Sequence, residues 1–481
     1  MPEAEDEAGA AQPDAAPART RPSRPVGPTR PVTSLAGFDD PLPLHQKVRA
    51  WGWGAWLVAA VLLLRLAAVA GMRLFLSVDS AEYDRLDFTG DGRRPWAVPF
   101  LYWLIPGTNR ALVIGQAVVG AVCWSVLALS AGAWFRLRPA RGAVAGVLAA
   151  LGCTSVVTNW DAAKLSESLG LSLTVLVVAA WLNFLRRTEL ATALLVALAT
   201  LPWLFVRQSI VPTAWMAVGL VVVAVVVLAR RRGRRDLGVR LLALLAIVLA
   251  VEGALATASY SRNQEIVHEN LLVIVANRVA SDPARLEWFT QHGMPVPASG
   301  ALDPDSLRSD PAFSDWVAHE GRSTYVRYLA THPWYTATAP LDDFAGVRQP
   351  NAEEQVPSTA MLAPPAFYAS VRLVLPEPVE DLLFGPGDTG MVIALTVVVL
   401  GWSLARVGRR SPRWPLPLAL IGLAVASLYT GWHGATPELD RLALAGAVAL
   451  RIGLVLQLAV LIEDEVQLRR RSVDGDVAPP S

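Results

Sequence analysis

The sequence predicts an all-α polytopic membrane protein with about ten transmembrane helices, an interfacial first outer loop and a small helical extracytoplasmic insert. Three observations predict it. Of the 481 residues, 53% are hydrophobic and 17% charged, a balance too apolar for a soluble protein of this size. Apolar runs of about 20 residues, the length that crosses a hydrocarbon layer, recur along the chain. Arginines mark alternate connections between those runs. The net charge of +1 says little by itself, because charges segregated to two sides of a bilayer still cancel.

Residues 1–42 are rich in Ala, Pro, Arg and acids, and cannot bury enough surface to fold, so a disordered cytoplasmic tail is expected. The pattern of a cleavable signal peptide is missing there, so the first apolar segment is expected to stay as an anchor. Apolar runs then fall at 53–76, 111–135, 142–159, 165–185, 189–206, 209–229, 240–257, 389–406, 414–432 and 440–462. Ten is even, which puts both ends of the chain on one side. Arg136, Arg138, Arg141, Arg186, Arg187, the cluster from Arg230 to Arg240, Arg406, Arg409, Arg410 and Arg413 thread to that side. They outnumber Arg85, Arg93, Arg94, Arg110, Lys164, Arg207 and Arg441 opposite. The positive-inside rule makes the arginine-rich side cytoplasmic, in the cell membrane, with both termini on it.

The expected organisation is helices 1–7 over 50–257 with a first outer loop at 77–110, the insert at 258–388, helices 8–10 over 389–462, and a cytoplasmic tail at 463–481. The insert is too polar to cross and too long for a plain connection. Short helices are expected in it near 264–281, 283–292 and 311–331, the last closed by His332-Pro333, and Ala360 to Leu375 suits the membrane surface. Cys123 and Cys153 lie inside apolar runs, which favours packing over a disulfide or zinc site. There is no internal repeat, glycine-rich phosphate loop or nucleic-acid motif, so no nucleic-acid partner is expected.

Chemistry is concentrated in the stretch from Leu76 to Asp84, where carboxylates follow the first apolar run. In an α-helix Asp79, Glu82 and Tyr83 would share one face. Such a spot suits a general base or a metal ligand, and equally a solvated flank. Arg94 to Pro106 is aromatic and proline-punctuated, fit for an interfacial helix or an aromatic belt. Arg65 and Arg451 sit near the centres of spans, where an unpaired charge is expensive. Glu252 is one candidate partner for Arg65, in a pair that either locks the bundle or serves chemistry.

These features together resemble the GT-C superfamily of membrane glycosyltransferases that use polyprenyl-phosphate sugars, of the PMT and ArnT kind. The acidic Asp79-x-x-Glu82-Tyr83 stretch looks like the family's first outer loop. Trp160 to Ser168 is similar to its polar turn before the fourth helix, Phe205 to Ser209 to its arginine turn, and Trp432 to Arg441 to its acidic loop before a late helix.

The resemblance implies transfer of a sugar, with inversion, from a polyprenyl-phosphate donor to an envelope glycan, lipid or protein acceptor outside the membrane. Residue chemistry fits it. An acceptor hydroxyl needs a carboxylate base, here Asp79, and a departing lipid phosphate needs cationic partners. Glu82 would orient the acceptor or hold a divalent cation, the one cofactor considered. Tyr83, Asp161, Lys164, Glu167, Arg207, His433, Glu438 and Arg441 complete the candidate substrate-binding set. Lys164, Arg207 and Arg441 among them are the phosphate candidates, with snorkelling or helix-end cations as the plainer alternative. A lipid or solute transporter or flippase is the competing class, given breakers such as Pro202 and Pro212, although no inverted repeat supports it. A membrane scaffold whose insert binds envelope polymer is the third.

Overall fold

In the computed structural model of the chain, the residues described are 44–76, 78–88, 94–105, 107–261, 264–297, 300–342, 374–384, 388–406, 411–434 and 439–473. The expected disordered tail, most of the stretch from Ala360 to Leu375, and Glu438 lie outside them. Among the described residues every regular element is a helix, and the one β-type pairing is a single parallel bridge between Phe75 and Ala163.

The first nine helices are α1 (Leu44–Ala68), α2 (Ala97–Leu104), α3 (Asn109–Gly132), α4 (Arg138–Gly152), α5 (Ser155–Thr158), α6 (Glu167–Arg186), α7 (Leu190–Leu204), α8 (Ile210–Arg232) and α9 (Leu237–Ser261). Among the described residues six helices, with bounds Asn109–Gly132, Glu167–Arg186, Ile210–Arg232, Leu237–Ser261, Pro415–Gly434 and Ala443–Arg470, are long and apolar enough to cross a membrane. The bent pair Arg138–Gly152 and Ser155–Ala162, kinked by 51°, makes up to seven. The apolar helices Gly52–Ala68, Leu190–Leu204 and Ala394–Ala405 are shorter. The chain is a polytopic membrane protein, and these helices account for the apolar runs.

Three boundaries differ from expectation. The first apolar run reads to 76, but α1 stops at Ala68 and Gly71, at φ +79°, turns the chain away, a conformation that glycine adopts without strain. The polar insert reads from 258, but α9 continues to Ser261. The charged segment from 463 reads as a tail, yet the last helix runs unbroken to Val473.

Between α9 and the final helices lies a helical cluster. It comprises α10 (Gln264–Ile274) with a wide π turn over Val275–Val279, α11 (Pro283–Gln291), α12 (Pro304–Ser309) and α13 (Pro311–Trp316). A second π turn over Val317–Gly321 leads into α14 (Arg322–Thr331) and α15 (Pro333–Asp342). Its helices α11, α12 and α13 each begin at an Asp-Pro pair. Asp282, Asp303 and Asp310 accept from first-turn amides, while the following proline needs no amide partner. Leu272, Val275, Phe289, Leu307, Phe313 and Trp316 form its own core.

The chain then enters α16 (Glu377–Phe384), α17 (Asp388–Ala405), α18 (Pro415–Gly434) and α19 (Leu439–Val473). The main core runs through α3, α4, α6, α18 and α19, around Trp124, Leu127, Leu148, Leu171, Val175, Leu450 and Leu454. Close approach is made possible by glycine at two places. A side chain at Gly120 would meet the Arg65 guanidinium at 2.3 Å, and one at Gly152 would meet the Trp124 ring at 2.4 Å.

Candidate active site

At one end of the bundle the connection after α1 and the connection before α6 are sewn together. Phe75 N donates to Ala162 O at 2.7 Å, and Lys164 N donates to Phe75 O at 3.0 Å. Gln116 Nε2 donates to both Asp161 O and Ala163 O at 3.0 Å. Ser80 Oγ donates to Lys164 O at 3.0 Å, and Tyr102 Oη to Leu165 O at 2.8 Å. The acidic loop, the α2 helix and the Trp160–Ser168 turn therefore form one unit.

The acidic stretch Val78–Asp84 is a 3-10 helix. With 3.0 residues per turn, positions three apart eclipse, so Asp79 and Glu82 stand together while Tyr83 points about a third of a turn away. The α-helical expectation of one shared face for all three is thus corrected. Asp79 and Glu82 are part exposed, and Tyr83 is buried at 2% exposure with its ring edge-on to Tyr102. Arg94 reaches both acids. Its Nη2 lies 2.8 Å from Asp79 Oδ1 and its Nε 2.6 Å from Glu82 Oε2, while its guanidinium sits 5.3 Å from the Tyr83 ring centroid. Burial opposes the charge on Arg94, but Tyr83, Asp79 and Glu82 outweigh it, so the arginine holds its proton above the ordinary range.

The candidate cations are also paired. Lys164 Nζ bonds Asp84 at the end of the 3-10 turn, and Arg207 Nη2 bonds Glu167, the first residue of α6. Arg207 Nε donates to Ser166 Oγ at 3.2 Å. Glu167 sits in the first turn of α6, where the helix dipole favours an anion. The α2 segment closes over this region. Trp96 packs on Phe205, which stacks on Tyr260, and Ala97 N donates to Phe205 O at 3.3 Å. Trp103 and Leu104 remain exposed, at 63% and 53%, the pattern of a helix lying at a membrane surface.

Asp161 does not join the substrate-facing set. It is wholly buried, with Oδ2 2.6 Å from Arg65 Nη2 and Oδ1 accepting from Ser168 Oγ at 2.6 Å. Arg65 Nη1 also donates to Gly152 O at 2.5 Å, at the kink between α4 and α5. Asp161, and not Glu252, is therefore the partner of Arg65, because the loop folds back into the bundle beside α1. Glu252 is buried in α9, with Oε2 unbonded among the described residues. Arg451 donates from Nε to Leu383 O at 2.6 Å and lies over the Phe384 ring at 4.0 Å, fixing the end of α16. Glu380 of that helix accepts from Ser155 N at 3.0 Å and 3.1 Å through its two oxygens, capping α5.

His433 is at a joint instead. Its Nε2 lies 3.0 Å from Thr336 O, beside Arg278, whose guanidinium is 3.6 Å from the Trp432 ring centroid and bonds Trp432 O. These contacts dock the inserted helices on the end of α18, and among the described contacts none links His433 to the Asp79 group. Arg441 lies in the first turn of α19, its side chain outside the described set, and Glu438 is likewise outside it. Residues that sequence reasoning passed over are Arg94, counted only as a loop arginine, and Asp84, Ser168 and Gln116. The one signal for Arg94 was a cation following two acids within the same loop.

The pairing also bears on a divalent cation. Two carboxylates with a guanidinium already between them make a poor donor set for such an ion, since the arginine repels it from hydrogen-bond range. Among the described residues no three His, Cys, Asp or Glu side chains gather in a metal-holding group.

No family model matches the chain, and no curated protein matches it. Among solved structures it is similar to the archaeal oligosaccharyltransferase AglB from Archaeoglobus fulgidus in complex with an inhibitory peptide and a dolichol-phosphate. The TM-score is 0.44 and the identity 11%, over 91% of this chain and 53% of that one. The chain thus spans about half the length of that protein.

Proposed function

We propose that the protein is a membrane glycosyltransferase that moves a sugar from a polyprenyl-phosphate donor to an acceptor on the extracytoplasmic side, with inversion at the anomeric carbon. One observation carries the reading: a part-exposed pair of carboxylates, Asp79 and Glu82, stands on the same stitched unit of loops as Lys164 and Arg207. Sugar transfer needs those two kinds of group together. A carboxylate takes the acceptor proton as the new glycosidic bond forms, and cations stabilise the phosphate that leaves with the electrons of the broken bond.

Asp79 is the base in this reading, and Glu82, held by the same arginine, orients the acceptor. Lys164 and Arg207 meet the donor phosphate, with Asp84 and Glu167 holding them in place until it arrives. The exposed aromatic side of α2 provides the surface along which a lipid-linked donor approaches. The inserted helices face the acceptor, an envelope glycan, lipid or protein.

The test is the purified full-length protein, in detergent or liposomes, given a panel of radiolabelled polyprenyl-phosphate sugars and a membrane extract as acceptor source. Label passing to acceptor from at least one donor is the expected result. A protein that moves a lipid or solute across vesicles and transfers no sugar would instead be a transporter.

A further inference from the structure

We propose that Arg94 stands where other acidic sites hold a divalent cation, so that Asp79 and Glu82 work with a fixed guanidinium and without a metal. The inference rests on the proposed role of Asp79. The geometry carries it. Two carboxylates on one side of a 3-10 turn would repel each other unless a positive charge lay between them. Arg94 supplies that charge with two separate bonds, 2.8 Å to Asp79 and 2.6 Å to Glu82, one from Nη2 and one from Nε. A guanidinium bonds in fixed directions from a planar group, which orients each carboxylate as a bound ion would.

The arginine is also held from behind. Its guanidinium lies against the Tyr83 ring, and the Tyr83 ring packs on Tyr102, whose hydroxyl is tied to Leu165 O. Its backbone leads through Pro95 into α2, where Ala97, Val98 and Pro99 are buried and Ala97 N is bonded to Phe205 O. Displacing the Arg94 guanidinium to admit an ion would break its contact with the Tyr83 ring.

Mn²⁺ serves as the probe, its binding to the purified full-length protein followed by electron paramagnetic resonance, together with thermal unfolding to show that each variant is folded. The parent should show no Mn²⁺ site that depends on Asp79. Arg94→Ala removes the charge and leaves both carboxylates, so Mn²⁺ should bind at least about tenfold more tightly than to the parent. Adding Asp79→Asn to that variant should abolish the gain, and Arg94→Lys, which keeps the charge, should resemble the parent. The proposal is overturned if the parent binds Mn²⁺ and Glu82→Gln removes it, or if Arg94→Ala binds no more Mn²⁺ than the parent. The readout is bound metal and not sugar transfer, so this inference and the proposed function fail separately.

Discussion

Arg65 of the first helix and Asp161, 96 positions later, are joined at 2.6 Å with neither side chain reaching solvent. The turn that carries Lys164 and Glu167 therefore hangs from α1 as well as from its own helix. Asp161 is satisfied on both oxygens, by Arg65 and by Ser168, and Arg65 holds the kink carbonyl of Gly152 with Nη1, while its buried Nε has no partner among the described residues. A buried charge pair adds little net stability over an apolar replacement, but each half depends on the other.

The first prediction follows from that dependence. Asp161→Ala or Arg65→Ala should each cost about 3–5 kcal/mol, because each leaves an uncompensated buried charge. The double variant Arg65→Met with Asp161→Leu should cost less than either alone. Gly120→Ala should destabilise too, since the added methyl enters the Arg65 guanidinium. Thermal unfolding in detergent measures all four. Losses under about 1 kcal/mol for the single charge variants, the range of exposed ion pairs, would contradict the buried assignment.

Lys164 and Arg207 should separate in a way that their partners dictate. Asp84 is 67% exposed, so Lys164→Ala leaves behind an acid that water can solvate. Glu167 is 1% exposed, so Arg207→Ala strands a buried carboxylate and should lower stability as well. Both variants should weaken donor use by about 1.5–3 kcal/mol, the worth of a hydrogen bond to a charged group. Steady-state kinetics with varied donor, set beside melting temperatures, checks this. Unchanged donor kinetics in both would return these residues to a purely structural role.

Much of the fold was legible because apolar length is a one-dimensional signal. The runs at 111–135, 165–185, 209–229 and 240–257 each fall on a helix long enough to span. The Asp-Pro starts of the inserted helices are equally local, as is the His332 end of α14. What failed depended on partners distant in sequence. The segment from 463 reads as a charged tail, yet it is helical because Glu463 caps the Arg136 and Leu137 amides and bonds Arg413. Asp464 likewise holds Arg413 and Trp414, and Glu465 holds Arg406. Tyr83 faces away from the two acids because the pitch of a seven-residue turn follows its contacts with Lys164, made through Ser80 and Asp84, and not its own composition. Asp161 looked like a site residue for the same reason that made it a good counter-ion: it is an acid in a polar turn.

Topology is the third prediction. The arginine bias puts the inserted helices and the connection from α8 to α9 on opposite sides of the membrane, the latter cytoplasmic. Both native cysteines are buried, so background labelling should be low. Ser323→Cys, on an exposed position of α14, should react in intact cells with a membrane-impermeant thiol reagent, and Arg234→Cys only after permeabilisation. The reverse pattern would invert the orientation and put the candidate site on the cytoplasmic face.

Asp79→Asn is the decisive substitution. It keeps the shape of the side chain and removes its basicity, while Glu82 remains to hold Arg94 through the 2.6 Å bond. A general base contributes roughly 10²- to 10⁴-fold, so transfer should fall by that order. Donor binding should be unchanged, because Lys164 and Arg207 are untouched. Melting temperature should move little, since the Asp79–Arg94 pair is part exposed and such pairs are worth about 0–1 kcal/mol. Glu82→Gln should be milder if it orients the acceptor, weakening acceptor use more than the rate of the bound complex, whereas Asp79→Asn should lower that rate itself. Single-turnover transfer assays at varied acceptor concentration separate the two. An Asp79→Asn protein with full activity would take the proton-accepting role away from this carboxylate, whatever the sugar.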